Sequence, residues 1–291
     1  MNRIFHAGLV AVAVCLVLLR VNAYAFDSGT LRDAVMMEEK RLGARIGVAV
    51  LDTSDGSGFE YKGSERFPIN STHKAFLCGA LLQQVDSRIL SLADTAVIHE
   101  GDLVTYSPVT EKYLAPRAIA YSELCQAAVS YSDNTAANVV VDRIGGVAAF
   151  NRFMQSLGDS VTRMDRKEPE INEGIPGDLR DTTTPSAAAA SLHAMLFGKV
   201  LSEDSAELLA EWMKGDAVAN ALLRKSLPTG WSIADKTGAG GNGSRSIIAV
   251  VYPPAKSPWI VSIYIAETKA TMAERNESIA RLGQVLFPVM Q

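Results

Sequence analysis

The stretch Trp231–Glu267, WSIADKTGAGGNGSRSIIAVVYPPAKSPWIVSIYIAE, reads as three strands in succession. Trp231–Ala239, Ser246–Tyr252 and Trp259–Glu267 are rich in β-branched and aromatic residues, and Gly or Pro marks each break. Downstream, Thr271 with Glu274 forms a capping box, and Ile279, Leu282 and Leu286 give one helix an apolar stripe. Far upstream, Leu31, Val35 and Leu42 recur at helical spacing within Thr30–Leu42. Two more strand-like runs follow it, Ile46–Asp52 and Phe59–Lys62, across the turn-rich segment Thr53–Gly58.

Between these ends, from Ser71 to about Gly215, the signals are almost all helical. Ser71–Val85 and Glu123–Tyr131 are apolar-rich runs, and Thr135–Ile144 ends at Gly145. Thr184-Pro185 supplies a cap and a first-turn proline, and Ser202 with Glu203 and Asp204 opens a helix closed by Lys214 and Gly215. Arg163–Asp181 has no periodicity and many turn formers, and a loop of that length inside a compact domain is usually either functional or disordered. The expected fold is α+β: an antiparallel sheet of about five strands built from both chain ends, flanked by helices, with an all-helical lobe inserted. The α/β lobe would hold about 26–62 and 216–291, and the helical lobe about 63–215. A cleft between two such lobes is a common place for an active site.

Residues 1–25 read as a signal peptide. Arg3 begins it, Ala7–Leu19 is unbroken and apolar, and Ala23-Tyr24-Ala25 is a cleavage signal. A spanning helix needs about 20 apolar residues, and Arg20 stops this run short. The mature chain, 26–291, is therefore expected to be exported, most simply to the periplasm, with no membrane attachment after cleavage. Cleavage removes two arginines and no acid, so the formal charge moves from −4 to −6. An acidic chain without a basic cluster or stacking platform is expected to bind no nucleic acid. Cys15 leaves with the signal. Cys78 and Cys125 remain, an even pair that favours a disulfide in an exported protein.

Four short motifs carry chemistry. In Ser71-Thr72-His73-Lys74, a cap at Asn70 or Ser71 would put Ser71 and Lys74 one helical turn apart on the same face. Ser71 would then sit where free N–H groups can bind an oxyanion. Such an S-x-x-K is expected about once by chance in a chain this long. Ser132-Asp133-Asn134 falls at a helix start, where a hydroxyl can relay a proton and an amide can hold a carbonyl. Lys236-Thr237-Gly238 ends a strand with a cation, a hydroxyl and room for a ligand to approach the backbone, and Arg245 adds a second cation. Glu168-Pro169-Glu170-Ile171-Asn172 lies in the aperiodic loop, where a carboxylate and an amide can hold one water. Its Glu-Pro bond is a candidate for cis.

In this order and at these separations, the motifs resemble class A serine β-lactamases across Phe26 to the C-terminus. Val104–Lys112, Asp178–Pro185 and Thr271–Asn276 carry the likeness further, and Cys78 and Cys125 match the disulfide of several Gram-negative members. The resemblance implies that Ser71 is acylated, Lys74 and Glu168 share proton transfer, and Ser132 protonates the β-lactam nitrogen. It implies that Glu168 and Asn172 position the hydrolytic water, and that the N–H groups of Ser71 and Ala239 form the oxyanion hole. Asn134 would contact the substrate's amide side chain. Lys236, Thr237 and Arg245 would hold its carboxylate, with Gly238 alongside and Tyr106 at the entrance. Arg166 and Asp181 would brace the loop as an ion pair. His73 stands where the family usually has phenylalanine, and a neutral packed ring is the expectation; Ile171 stands where leucine is common. Gly240–Ser246 is similar to the carbenicillin-hydrolysing group, many of whose members have arginine in place of Lys236. Asn70 and Gly240 exclude the extra cysteine pair of one carbapenemase group, and penicillins with early cephalosporins are the implied substrates.

Other readings fare worse. Gly238–Gly243 fits G-x-G-x-x-G but precedes a strand, so a dinucleotide site lacks its context. His73, His99 and His193 show no zinc spacing. No metal or cofactor is implied, and a monomer is expected. The rivals are a D,D-peptidase, which deacylates the drug poorly and against which Glu168 and Asn172 count, and a non-hydrolysing β-lactam sensor, which would need a membrane tether that the chain is expected to lack after cleavage.

Overall fold

The computed structural model describes residues 28–291, so the signal sequence lies outside the described residues. In chain order the strands are β1 (Arg45–Asp52), β2 (Gly58–Tyr61), β3 (Phe67–Pro68), β4 (Thr95–Val97), β5 (Ala118–Ala120), β6 (Thr182–Thr183), β7 (Ser232–Ala239), β8 (Arg245–Tyr252) and β9 (Trp259–Ala266). The helices are α1 (Ser28–Leu42), α2 (His73–Asp86), α3 (Tyr121–Ser130), α4 (Asn134–Ile144), α5 (Gly146–Ser156), α6 (Pro185–Leu196), α7 (Glu203–Lys214) and α8 (Met272–Leu286). None of these helices is long and apolar enough to cross a membrane.

The two chain ends do make one sheet, in the order β2-β1-β9-β8-β7, antiparallel throughout. The join is β1 against β9, with Val48 opposite Ile263. Both faces of this sheet are buried, so alternate residues of one strand feed different cores. Ile247, Ala249 and Val251 of β8 point into the core shared with α1 and α8. Ile248 and Val250 point into the larger core of the helical segment. Ser262 Oγ of β9 donates to the carbonyl of Pro185 at 2.7 Å, which fixes the start of α6 on the sheet.

Local chemistry sets the helix ends. Thr184, Ser202 and Asp133 each accept a backbone N–H three residues on, and Thr271 and Glu274 complete the expected capping box. Gly145 closes α4 in the left-handed region (φ 104°), and α5 begins at the next residue. From His73 to Leu82, α2 is buried on every side, as a helix at the centre of a core must be. Cys78 and Cys125 are joined, tying α2 to α3.

The expected cap at Asn70 or Ser71 is not formed. Asn70–Thr72 is instead a separate 3₁₀ turn with no side-chain cap, and α2 starts at His73. Tertiary contacts account for the difference. Thr72 Oγ1 donates back to the Ile69 carbonyl and lies 3.0 Å from the Tyr264 hydroxyl of β9, while Asn70 sits at φ 45°.

Candidate active site

The 3₁₀ turn delivers Ser71 to the rim of a cleft between β7, the turn before α4 and the start of α8. The cleft has a volume of about 430 Å³ and is lined by Ser71, Tyr106, Ser132, Asn134, Asn172, Thr237, Gly238, Ala239 and Arg245. Lys74, Glu168 and Lys236 stand behind this wall, each almost fully buried. The structure thus brings together every candidate side chain of the four motifs.

Lys74 is the hub. Its Nζ donates to Ser71 Oγ at 3.1 Å, to the Ser132 carbonyl at 2.8 Å and to Asn134 Oδ1 at 2.5 Å. It also lies 3.0 Å from Glu168 Oε1, an ion pair too poorly aligned to count as a hydrogen bond. Three acceptors use all three hydrogens of an ammonium. Burial pulls the lysine below its ordinary range, opposed by Glu168. Burial, the largest single influence, pushes Glu168 the other way, but Lys74, His73 and Asn172 together outweigh it and hold the carboxyl below its usual range.

The loop that carries Glu168 is fixed at several points. Asn138 Oδ1 accepts the Glu168 N–H at 2.9 Å and its Nδ2 donates to the Glu168 carbonyl at 2.8 Å. Asn172 Nδ2 donates to Glu168 Oε2, and Glu168–Pro169 is cis. Asp181 accepts from Arg166 Nε at 2.6 Å and from the backbone N–H groups of Asp165 and Arg166, so the expected brace is present. Gly241 N–H donates to the Asn172 carbonyl at 2.8 Å and ties the loop to the end of β7.

Ser132 (φ 58°) and Tyr106 (φ 67°) both hold left-handed backbone, as strained residues at functional sites often do. Asp133 enforces that geometry. Its carboxylate accepts N–H groups from Val109, Thr110 and Ala136, and Asn134 N–H donates to the Tyr106 carbonyl at 3.0 Å. On the opposite wall, Arg245 donates to Asn276 Oδ1 at 2.7 Å and to the Gly238 carbonyl at 2.9 Å. Lys236 Nζ is 3.7 Å from Asp216 Oδ2, which also accepts the Thr237 N–H at 3.1 Å. Burial brings Lys236 down to about 8 and Arg245 down to about 10, with Asp216 opposing both.

Gly238 departs from its expected reason. A Cβ there would stand 3.0 Å from Ser71 N and 2.9 Å from Asn70 Cβ. The missing side chain makes room for the serine's own turn as well as for the cleft. Asp216, Asn138 and Asn276 went unread as site residues. None belongs to a motif, although Asn276 ends the quoted segment Thr271–Asn276.

A family model described as "Beta-lactamase enzyme family" matches residues 30–289. The chain belongs to the β-lactamase enzyme family. It is 55% identical over 284 residues to β-lactamase AER-1 of Aeromonas hydrophila, covering 97% of this chain and 93% of that one. It is 48% identical over 251 residues to β-lactamase CARB-3 of Pseudomonas aeruginosa, covering 86% and 87% of the two chains. Among solved structures, an ancestral class A β-lactamase (GNCA) superposes with a TM-score of 0.87 at 44% identity, covering 89% of this chain and 99% of that one. The present chain is thus a class A serine β-lactamase, a hydrolase of β-lactams that confers resistance to them. In this β-lactamase both expected departures from the family pattern, His73 and Ile171, are buried. Burial lowers the His73 imidazole to about 4, so the ring is neutral, as expected of a packed residue.

Proposed function

We propose that this β-lactamase hydrolyses penicillins and early cephalosporins through an acyl-enzyme on Ser71. The observation that carries the residue roles is the position of Lys74 Nζ, 3.1 Å from Ser71 Oγ and 3.0 Å from Glu168 Oε1. One cation so placed connects the nucleophile to the general base. Ser71 Oγ attacks the β-lactam carbonyl and its proton passes either to Glu168, with the Lys74 ammonium as relay, or to Lys74 once that has given up a proton, while the N–H groups of Ser71 and Ala239 receive the oxyanion. Ser132 passes a proton to the ring nitrogen as the C–N bond breaks. Glu168 then takes a proton from water, the hydroxide attacks the ester, and Ser71 leaves with a proton restored. Glu168 Oε1 and Asn172 Oδ1 are buried acceptors without a hydrogen-bond donor, and one water donating both hydrogens would satisfy the two together.

Lys236, Thr237 and Arg245 hold the substrate carboxylate, Asn134 its amide side chain, and Tyr106 borders the entrance. The same reading takes 1–25 as a signal peptide, the mature enzyme as a periplasmic monomer, and its lobes as divided near residues 62 and 216. The test is Glu168→Ala with excess benzylpenicillin, followed by absorbance and intact mass. A burst of one equivalent and a persistent adduct are expected. Turnover continuing at the wild-type rate would overturn the assignment of Glu168.

A further inference from the structure

One buried titratable group beside the reacting residues has no part in the steps above. His73 heads α2 with its side chain almost fully buried, one face toward the Asn70 turn and the other toward the loop that carries Glu168. Nδ1 lies 2.7 Å from the Asn70 carbonyl oxygen. A carbonyl only accepts, so Nδ1 carries the hydrogen and the neutral ring presents a bare lone pair at Nε2. That lone pair faces Glu168 Oε1 across 3.9 Å. Both atoms are acceptors, and they stand farther apart than a hydrogen bond allows. The carboxylate instead turns Oε1 to Lys74 and Oε2 to Asn172.

We propose that His73 is a positioning residue for Glu168. Neutral, its Nε2 lone pair keeps Oε1 on the Lys74 side; protonated, Nε2–H draws Oε1 onto the imidazole and takes Glu168 out of hydrolysis. The inference rests on Glu168 being the deacylation base. A single proton added at Nε2 changes two facing acceptors into a charged pair in a region with little solvent to screen it. The ionisable groups acting on the ring are Lys74 of α2 itself, Glu168 of the loop and Lys236 of β7. The two lysines oppose a second proton and Glu168 favours it, while burial keeps the ring neutral until acid pH. The switch is therefore at rest at neutral pH, where the ring holds no second proton, and acts on the acid limb. Two acceptors that share one proton titrate together, at a higher pH than either would alone.

The test compares decay of the benzylpenicillin acyl-enzyme in wild type and His73→Phe, by quenched flow with intact-mass detection, each normalised to its own plateau. Removing the second acceptor should move the acid-limb midpoint of deacylation down by about half a pH unit. On the falling limb the variant would then keep about three times more of its plateau rate than wild type keeps. A midpoint that stays put or rises overturns the proposal. If the variant does not fold, histidine ring ¹⁵N signals of the wild-type enzyme decide it. The expected result is an Nδ1–H tautomer at neutral pH that gains its second proton over the pH range of activity loss. An Nε2–H tautomer, or a ring that stays neutral through the whole acid limb, overturns it. Glu168→Ala separates the two levels: free turnover there defeats the base assignment, whereas a trapped adduct with an unshifted His73→Phe profile defeats only the role of His73.

Discussion

Lys236 is buried beside the cleft, and burial sets its ammonium at about 8 despite Asp216 at 3.7 Å. The sign follows directly: the lysine is charged below pH 8 and loses its charge as pH rises through that value. A penicillin presents a carboxylate at every pH of interest, so one of its two cationic partners fades on the alkaline side. Arg245, held at about 10, remains. For benzylpenicillin, kcat/KM should fall above pH 8, mostly through a rise in KM, and level off at the lower value that Arg245 alone supports. Lys236→Arg should carry that limb upward by more than one unit, because a guanidinium does not titrate in this range. An alkaline limb unmoved by the substitution would show that another group sets it. Lys236 was legible in the sequence because it sits in K-T-G at the end of a β-rich run. Asp216, which opposes the effect of burial on that lysine and holds Thr237 N–H, was not. It lies just past the end of α7, twenty positions before Lys236 with a 3₁₀ turn at Leu223–Ser226 between, and only the return of β7 brings the two together.

The loop from Arg163 to Asp181 is the element whose order matters most, since it alone carries Glu168 and Asn172. Asp181 has a side chain almost fully buried and is bonded by Arg166 Nε and two backbone N–H groups. Arg166→Ala leaves that carboxylate with the backbone donors only. The cost is about 2 to 4 kcal/mol, below the full penalty of an orphaned buried charge because those two donors stay. Amide exchange within 163–181 should rise, and deacylation should slow more than acylation. Unchanged exchange would mean that Asn138 and Gly241 hold the loop without the ion pair. The loop's existence was readable from its missing periodicity, and the brace from the resemblance. The sheet was readable because β7, β8 and β9 are apolar runs punctuated by Gly and Pro. The Asn70–Thr72 turn was not, because Asn-Ser-Thr before an apolar run has the signature of an ordinary cap. Contacts from Ile69 and Tyr264, remote in sequence or made by backbone, choose the 3₁₀ form instead.

At the scale of the molecule, the sheet closes the chain on itself: β1 pairs with β9, so the first and last described segments share one core under α1 and α8. The helical segment has a second core and its own covalent tie, Cys78 to Cys125, across 47 residues of sequence. Closing a loop of that length restricts the unfolded chain by about 4 kcal/mol in the chain-entropy description. Cys78→Ala with Cys125→Ala should then lower Tm by roughly 8 to 16 °C for a chain of this size. Neither cysteine lines the cleft, so kcat at 25 °C should hold. Because both sulfurs are fully buried, a thiol reductant should leave the folded enzyme intact and act only once denaturant opens the helical core. Cys78 does lie one turn beyond Lys74 on α2, which gives the experiment a second discriminating outcome. A fall in kcat matching the fall in Tm would mean that the bridge acts in the native state by setting where Lys74 stands between Ser71 and Glu168. A fall in Tm alone places its effect in the unfolded chain, where loop closure acts.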